Sequence, residues 1–296
     1  LGEKPHLKIL FLTNGDLPDF MADTICHGGR LTLGGDFVDF PRCSYLYTDY
    51  GDVSGFHGRG FSHCKLLDPT LAVDRDDIVN KLKNKFFDIV IFGSIQRNQL
   101  YFGGITSVYP RNKIAAVDGE DSPYTFPLHD KVLMFKRELC SQIDGFWPIH
   151  FGIPAHKILP SMPEKTRFMS AYDPLINQST VYDNEKDYLA GYACSYFAPT
   201  MRRMGHDCMR HVEILSQWAI PYHRAIDGTP DLVMHRYPKR EVDMVRRLIE
   251  YSPTEGKDTA IDFYNRVIEK VMKHARENLT TESVFKYLVD TVFAQK

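Results

Sequence analysis

Phe87–Phe92 reads FDIVIF, a short run that is almost wholly apolar. A run of this length without polar alternation has the look of a strand buried on both faces. Strands of that kind belong to parallel sheets covered by helices. Similar runs lie on either side. Lys8–Thr13, KILFLT, is followed by the turn Asn14-Gly15-Asp16, and Lys113–Val117, KIAAV, ends at Asp118. Ser44–Thr48, with Tyr45 and Tyr47, is another candidate strand, and Lys131–Phe135 a further strand or buried segment. Asp76–Lys85 reads as a helix with Asp74 near its cap. Strands alternating with helical stretches predict an α/β protein with a doubly wound sheet. In such sheets ligands sit beyond the carboxyl ends of the strands. Asp16, Asp49, Asp118, Glu120 and Asp121 all follow such ends.

The chain has 296 residues, enough for two lobes with separate cores. Pro148, Pro154, Pro160 and Pro163 mark a linker or crossing between them. A second lobe starts at Arg167–Tyr172, and Glu185–Ala198 is expected to be helical at first, ending near Pro199. Lys239–Tyr251 is amphipathic, with Val242, Val245, Leu248 and Ile249 on one face, and Thr259–Asn278 and Thr281–Phe293 are two more helices. The expected division is 1–150, a first α/β lobe; 151–258, a second lobe; and 259–296, helices packing back on the lobes.

Ser195–Tyr222 carries the chemistry: SYFAPTMRRMGHDCMRHVEILSQWAIPY. From Cys208 the apolar positions Met209, Val212, Leu215 and Ala219 recur at helical spacing, and the helix is expected to stop at Pro221. Arg210, His211 and Glu213 then fall in its first turns. A helix N-terminus offers free N–H groups and partial positive charge to a phosphate. An arginine there can bind two phosphate oxygens, and a carboxylate one turn along can accept both hydroxyls of a ribose. On a helix surface Arg-x-x-Glu is also an ordinary solvated pair; the ordered set with Ser195, Gly205 and Pro221 favours a donor site.

The order Ser-x-Phe, basic turn, Gly, Arg-x-x-Glu and a helix ending in x-Pro resembles the nucleotide-sugar signature of GT-B glycosyltransferases. It is most similar to the exostosin-like group and its bacterial, algal and large-virus relatives. Asp118–Leu139, DGEDSPYTFPLHDKVLMFKREL, is a looser echo of the same family. Where relatives carry Gly-x-Pro, Ala219 stands in place of the glycine. The resemblance implies two Rossmann-like lobes with C-terminal helices, a UDP-sugar donor, a glycan or glycoprotein acceptor, inversion and no obligatory metal or other cofactor. It places Ser195 and Arg210 on the diphosphate, Glu213 on the ribose and Gly205 where the backbone must approach closely, so that lobe 151–258 takes the nucleotide sugar and lobe 1–150 the acceptor; Arg203 and His211, in the same stretch, are further candidates for donor contact.

An inverting transferase also needs a general base from the opposite lobe. Asp16, Asp49 and Asp121 are the candidates, each equally readable as a capping or turn residue. Two other readings stay open. Asp74-Arg75-Asp76 matches the Asp-x-Asp of metal-dependent GT-A enzymes, although a helix cap explains it as well, and the Asp-Gly-Glu-Asp turn (118–121) offers clustered carboxylates to a cation. A non-catalytic nucleotide- or glycan-binding protein on the same scaffold is the other. A dinucleotide oxidoreductase is disfavoured, since no Gly-x-Gly-x-x-Gly follows the first strand. His57 and His63 flank GFHGRGFSHC, a candidate acceptor-binding or mobile loop without a metal-ligand set.

A net charge of −2 leaves no electrostatic case for nucleic acid, and none is expected as a partner. No apolar run reaches the length of a membrane span, and no secretory signal is expected, so the predicted location is cytoplasmic. Cys26, Cys43, Cys64, Cys140, Cys194 and Cys208 are scattered, which predicts reduced thiols. Asn177-Gln-Ser179 and Asn278-Leu-Thr280 fit the glycosylation sequon and are read as chance matches.

Overall fold

The computed structural model describes residues 7–176, 182–251 and 256–295; the sequon at Asn177 lies outside them. The first lobe runs β1 (Ile9–Leu12), α1 (Phe20–Leu33), β2 (Phe37–Phe40), α2 (Ile78–Lys83), β3 (Ile89–Phe92), α3 (Phe102–Val108), β4 (Ile114–Asp118), β5 (Leu133–Lys136) and β6 (Phe146–Pro148). Its sheet has the order β2-β1-β3-β4-β5-β6, and every pairing is parallel. Alternate residues of each strand enter opposite cores. Ile9, Phe11, Ile89, Ile91, Ala115 and Val117 pack on one side. Leu10, Leu12, Val90, Phe92, Ile114 and Ala116 pack on the other, against Ile78, Leu82 and Ile105 of α2 and α3. Burial on both faces is why these strands read as unbroken apolar runs.

The second lobe has β7 (Arg167–Met169), α4 (Glu185–Ala193), β8 (Ser195–Thr200), α5 (Met209–Ser216) and β9 (Ile220–His223). They form a parallel sheet in the order β7-β8-β9. Three helices follow: α6 (Lys239–Tyr251), α7 (Gly256–Asn278) and α8 (Thr281–Ala294). The long α7 lies on the second lobe, where Tyr264 donates to the Trp218 carbonyl at 2.7 Å. The chain then crosses back. Thr281 N–H donates to the Ile153 carbonyl at 3.0 Å, and α8 runs along α1. Gly28 permits that approach, because a Cβ there would lie 2.2 Å from the Thr281 carbonyl oxygen. An α/β fold with two parallel sheets followed by C-terminal helices is what the sequence predicted.

Several elements differ from expectation. Ser44–Leu46 is a single 3₁₀ turn, and Tyr47 makes only an isolated bridge to Leu67. The tyrosines there point inward from a loop: the Tyr47 hydroxyl donates to Asp39 at 3.0 Å. The strand is Phe37–Phe40 instead. The helix beginning at Glu185 ends at Ala193, and Ser195–Thr200, Pro199 included, is a strand. The helix from Met209 stops at Ser216, and Pro221 lies in β9. That strand is at the edge of its sheet, where a missing N–H is tolerated. All six cysteines are free. Among the described residues no helix is long and apolar enough to cross a membrane.

Candidate functional site

The carboxyl ends of both sheets meet in one cleft. On the first-lobe side β4 ends in Asp118, fully buried and paired with the buried Lys136 ammonium at 3.0 Å. The other Asp118 oxygen accepts from Gln96 Nε2 at 2.9 Å, and Glu120 N–H donates to its first at 3.1 Å. Without these partners a buried carboxylate would be costly. Together they fix the turn 118–121. The buried Arg137, just past β5, spans the cleft floor: Nε donates to the Gly119 carbonyl at 2.9 Å, Nη2 to Asp121, and Nη1 to Glu138 and the Asp207 carbonyl. Its guanidinium stacks over Phe151, 4.7 Å from the ring centroid.

Asp19 closes another wall. It caps α1 by accepting from Met21 N–H at 3.0 Å and Ala22 N–H at 3.1 Å. Its second oxygen lies 3.3 Å from Arg97, which also donates to Glu120 at 2.8 Å. Asp19, Phe20, His57, Arg97, Asp121 and Arg137 line a cavity of about 260 Å³. Acidic and basic groups both line it, so it can hold a polar ligand.

The opposing wall is the loop between β8 and α5. Gly205 is pressed against the first lobe; a Cβ there would fall 2.7 Å from both Asp121 Oδ1 and Glu138 Oε1, and 2.9 Å from Arg137 Nη1. His206 Nδ1 and Glu138 Oε2 are 2.9 Å apart, Asp207 N–H donates to Glu138 Oε1 at 3.0 Å, and Phe151 N–H donates to Asp207 Oδ2 at 2.9 Å. Burial pushes the Asp207 carboxyl up to about 6, with Arg137 acting against it.

Arg210 and Glu213 stand one turn apart on α5 and share a polar pocket with tyrosines. Arg210 lies over Tyr172, 5.2 Å from the ring centroid, and its buried Nε has no partner. Glu213 accepts from the Tyr188 hydroxyl at 2.7 Å and from the Ser62 hydroxyl of the first lobe. His211 is fully buried against His223, ring centroids 5.0 Å apart. Burial, with His223 beside it, pushes its pKa well below the usual histidine value.

Of the predicted site residues, Asp121, Gly205, Arg210 and Glu213 lie along this interlobe seam. Ser195 does not: it opens β8 at the amino end of the sheet, fully buried, and its hydroxyl donates to the Gly191 carbonyl at 3.0 Å. Asp49 is held by Arg42 at 2.7 and 2.9 Å, away from the cleft lining. Asp16 is exposed in the turn after β1 and is not among the cavity-lining residues. Arg203 has an exposed side chain, and its N–H donates to the Gly205 carbonyl at 3.1 Å. His211 belongs to the core behind the loop. Asp74 pairs with Lys81 at 2.6 Å and accepts from Asp76 N–H, a local turn ahead of α2.

Sequence reading missed Asp19, Arg97, Arg137 and Ser62. Arg137 and Glu138 sat within the FKRE echo, and Asp19 stands three residues after Asp16, directly before a helix. Nothing local in the sequence marks Arg97 or Ser62.

No family model matches the chain, and no curated protein matches it. Among solved structures it is similar to an alpha-glucosyltransferase in complex with UDP-glucose and DNA containing an abasic site. The TM-score is 0.48, with 10% identity over 96% of this chain and 98% of that one. That complex corrects the expectation of a glycan or glycoprotein acceptor with no nucleic acid, because the neighbour is bound to DNA. The exclusion had rested on net charge, which is a sum over the chain and does not report the local charge of a cleft.

Proposed function

We propose that this protein transfers a sugar from a nucleotide diphosphate donor, a UDP-sugar, to an acceptor hydroxyl. The observation that carries this reading is the convergence of the carboxyl ends of two parallel sheets. Asp19, Asp121 and Arg137 of one lobe face the Gly205 loop of the other, which leads into Arg210 and Glu213. In this reading Glu213 accepts the ribose hydroxyls. Arg210, with an uncommitted Nε, stabilises the charge that develops on the leaving diphosphate. No role falls to Ser195. Asp121 is the base: of the three candidate aspartates it alone lines the cavity, and its side chain is half exposed. It takes the acceptor proton as the hydroxyl oxygen attacks the anomeric carbon and the diphosphate leaves, which inverts the centre. Asp121→Asn is expected to leave UDP affinity within about twofold and lower kcat for UDP-sugar turnover by roughly 100-fold or more. Turnover within tenfold of the parent would remove Asp121 from this role.

A further inference from the structure

The segment 57–64 crosses from the first lobe to the second. His57 lines the cleft. Five residues on, the Ser62 hydroxyl donates to Glu213, and the Ser62 N–H donates to Glu185 at 2.7 Å. Arg59 pairs with Asp183 at 3.0 Å, and the Phe61 ring packs on Tyr188 with centroids 5.7 Å apart. Glu213 therefore has both carboxylate oxygens filled by protein hydroxyls, Tyr188 from its own lobe and Ser62 from the opposite one. Two hydroxyls on two oxygens of one carboxylate is the pattern that a vicinal diol makes. A ligand diol reaching Glu213 has to displace one of them.

Ser62 is the one placed to leave. Tyr188 sits within α4 and is packed against Tyr182 and Tyr192. Ser62 lies on a loop in which Arg59, Ser62 and Lys65 all have left-handed backbone, with φ of 56°, 73° and 58°. Non-glycine residues adopt that conformation at a cost. The Arg59–Asp183 tie is exposed, with the Asp183 side chain 94% accessible, and such pairs hold weakly in water.

We propose that the 57–64 loop is an interlobe clasp released by the donor, a ligand hydroxyl exchanging with the Ser62 hydroxyl on Glu213. The proposal rests on the assignment of Glu213 to the ribose. Nucleotide binding and release of the loop from the second lobe then form one equilibrium, and the clasped population lowers the apparent affinity.

The test is titration of UDP and 2′-deoxy-UDP into the parent, Ser62→Ala and Arg59→Ala, with thermal melts to verify folding. Ser62→Ala removes the competitor and leaves Glu213 intact, so UDP is expected to bind roughly threefold to tenfold more tightly. Arg59→Ala loosens the same loop with Ser62 in place and shifts UDP in the same direction by less. With 2′-deoxy-UDP, the parent's Ser62 keeps its bond to Glu213. In Ser62→Ala that oxygen loses its donor, so the preference for UDP over the deoxy form widens. Unchanged or weaker UDP binding by Ser62→Ala overturns the clasp and leaves the donor site standing. UDP binding to none of the three chains overturns the Glu213 assignment, and the clasp with it.

Discussion

At Gly205 the backbone of the second lobe is pressed against side chains of the first. The atoms that a methyl group would meet belong partly to Glu138 and Arg137, both buried and already tied into the cleft floor. They have little room to yield, so an added methyl pushes the 201–208 loop out of register with Asp121. Gly205→Ala is expected to weaken UDP binding and lower turnover by about tenfold each, a displacement near 1 Å being enough for such losses. The melting temperature should fall only slightly; full activity would show that the close approach is dispensable. That Gly205, Arg210 and Glu213 lie near one another was legible because their spacing follows from helix geometry and a turn. Ser195 was misplaced because a small polar residue at the buried start of a strand looks, in sequence, like one at its exposed end. Asp49 misled for another reason: its partner Arg42 lies seven residues away, and no local pattern shows such pairing.

At the scale of elements, β1, β3 and β4 were plain because each is apolar on both faces. The second strand, FVDF, was hidden by Asp39, which is tolerated in the core because Tyr47, Arg75 and the Cys43 N–H all donate to it. The first helix, α1, was hidden by its own burial. Asp23, His27 and Arg30 are inside, so no polar face alternates with an apolar one, and Gly28 and Gly29 interrupt the pattern. Those interruptions serve packing that only the tertiary fold reveals. A methyl group at Gly28 would meet backbone at Thr281 and separate α1 from α8. Gly28→Ala is therefore expected to destabilise the fold by about 1–3 kcal/mol, measured by urea denaturation; a stability equal to the parent's would mean α8 is not seated as described.

For the whole molecule, the lobes are held together, beside the 57–64 loop, by the α7–α8 return and the cleft seam. Both contain or adjoin buried titratable groups. Burial pushes His150 and His223 down to about 4, and His27 and His235 to about 3. Their folded pKa values lie below the unfolded value of about 6.5, so their contribution to stability is present above that pH. It is lost as pH falls through the folded values. Asp207, raised to about 6, acts in the opposite sense: its contribution is present below about 4 and is lost as pH rises through 6. Burial raises the Asp23 carboxyl as well, but four histidines outweigh two aspartates, and the melting temperature should fall between pH 7 and 4. In Asp207→Asn, where one opposing group no longer titrates, the fall should steepen between pH 6 and 4. A flat profile would contradict the buried, neutral state of these histidines.

Whether Arg210 and Glu213 form a nucleotide site at the interlobe seam is decided by calorimetric titration of UDP into the parent and Glu213→Ala, in EDTA. The expected result is saturable binding to the parent, weakened in Glu213→Ala by roughly 1–3 kcal/mol, the cost of hydrogen bonds lost to a charged group. Absence of UDP binding, or equal binding by Glu213→Ala, would contradict that site.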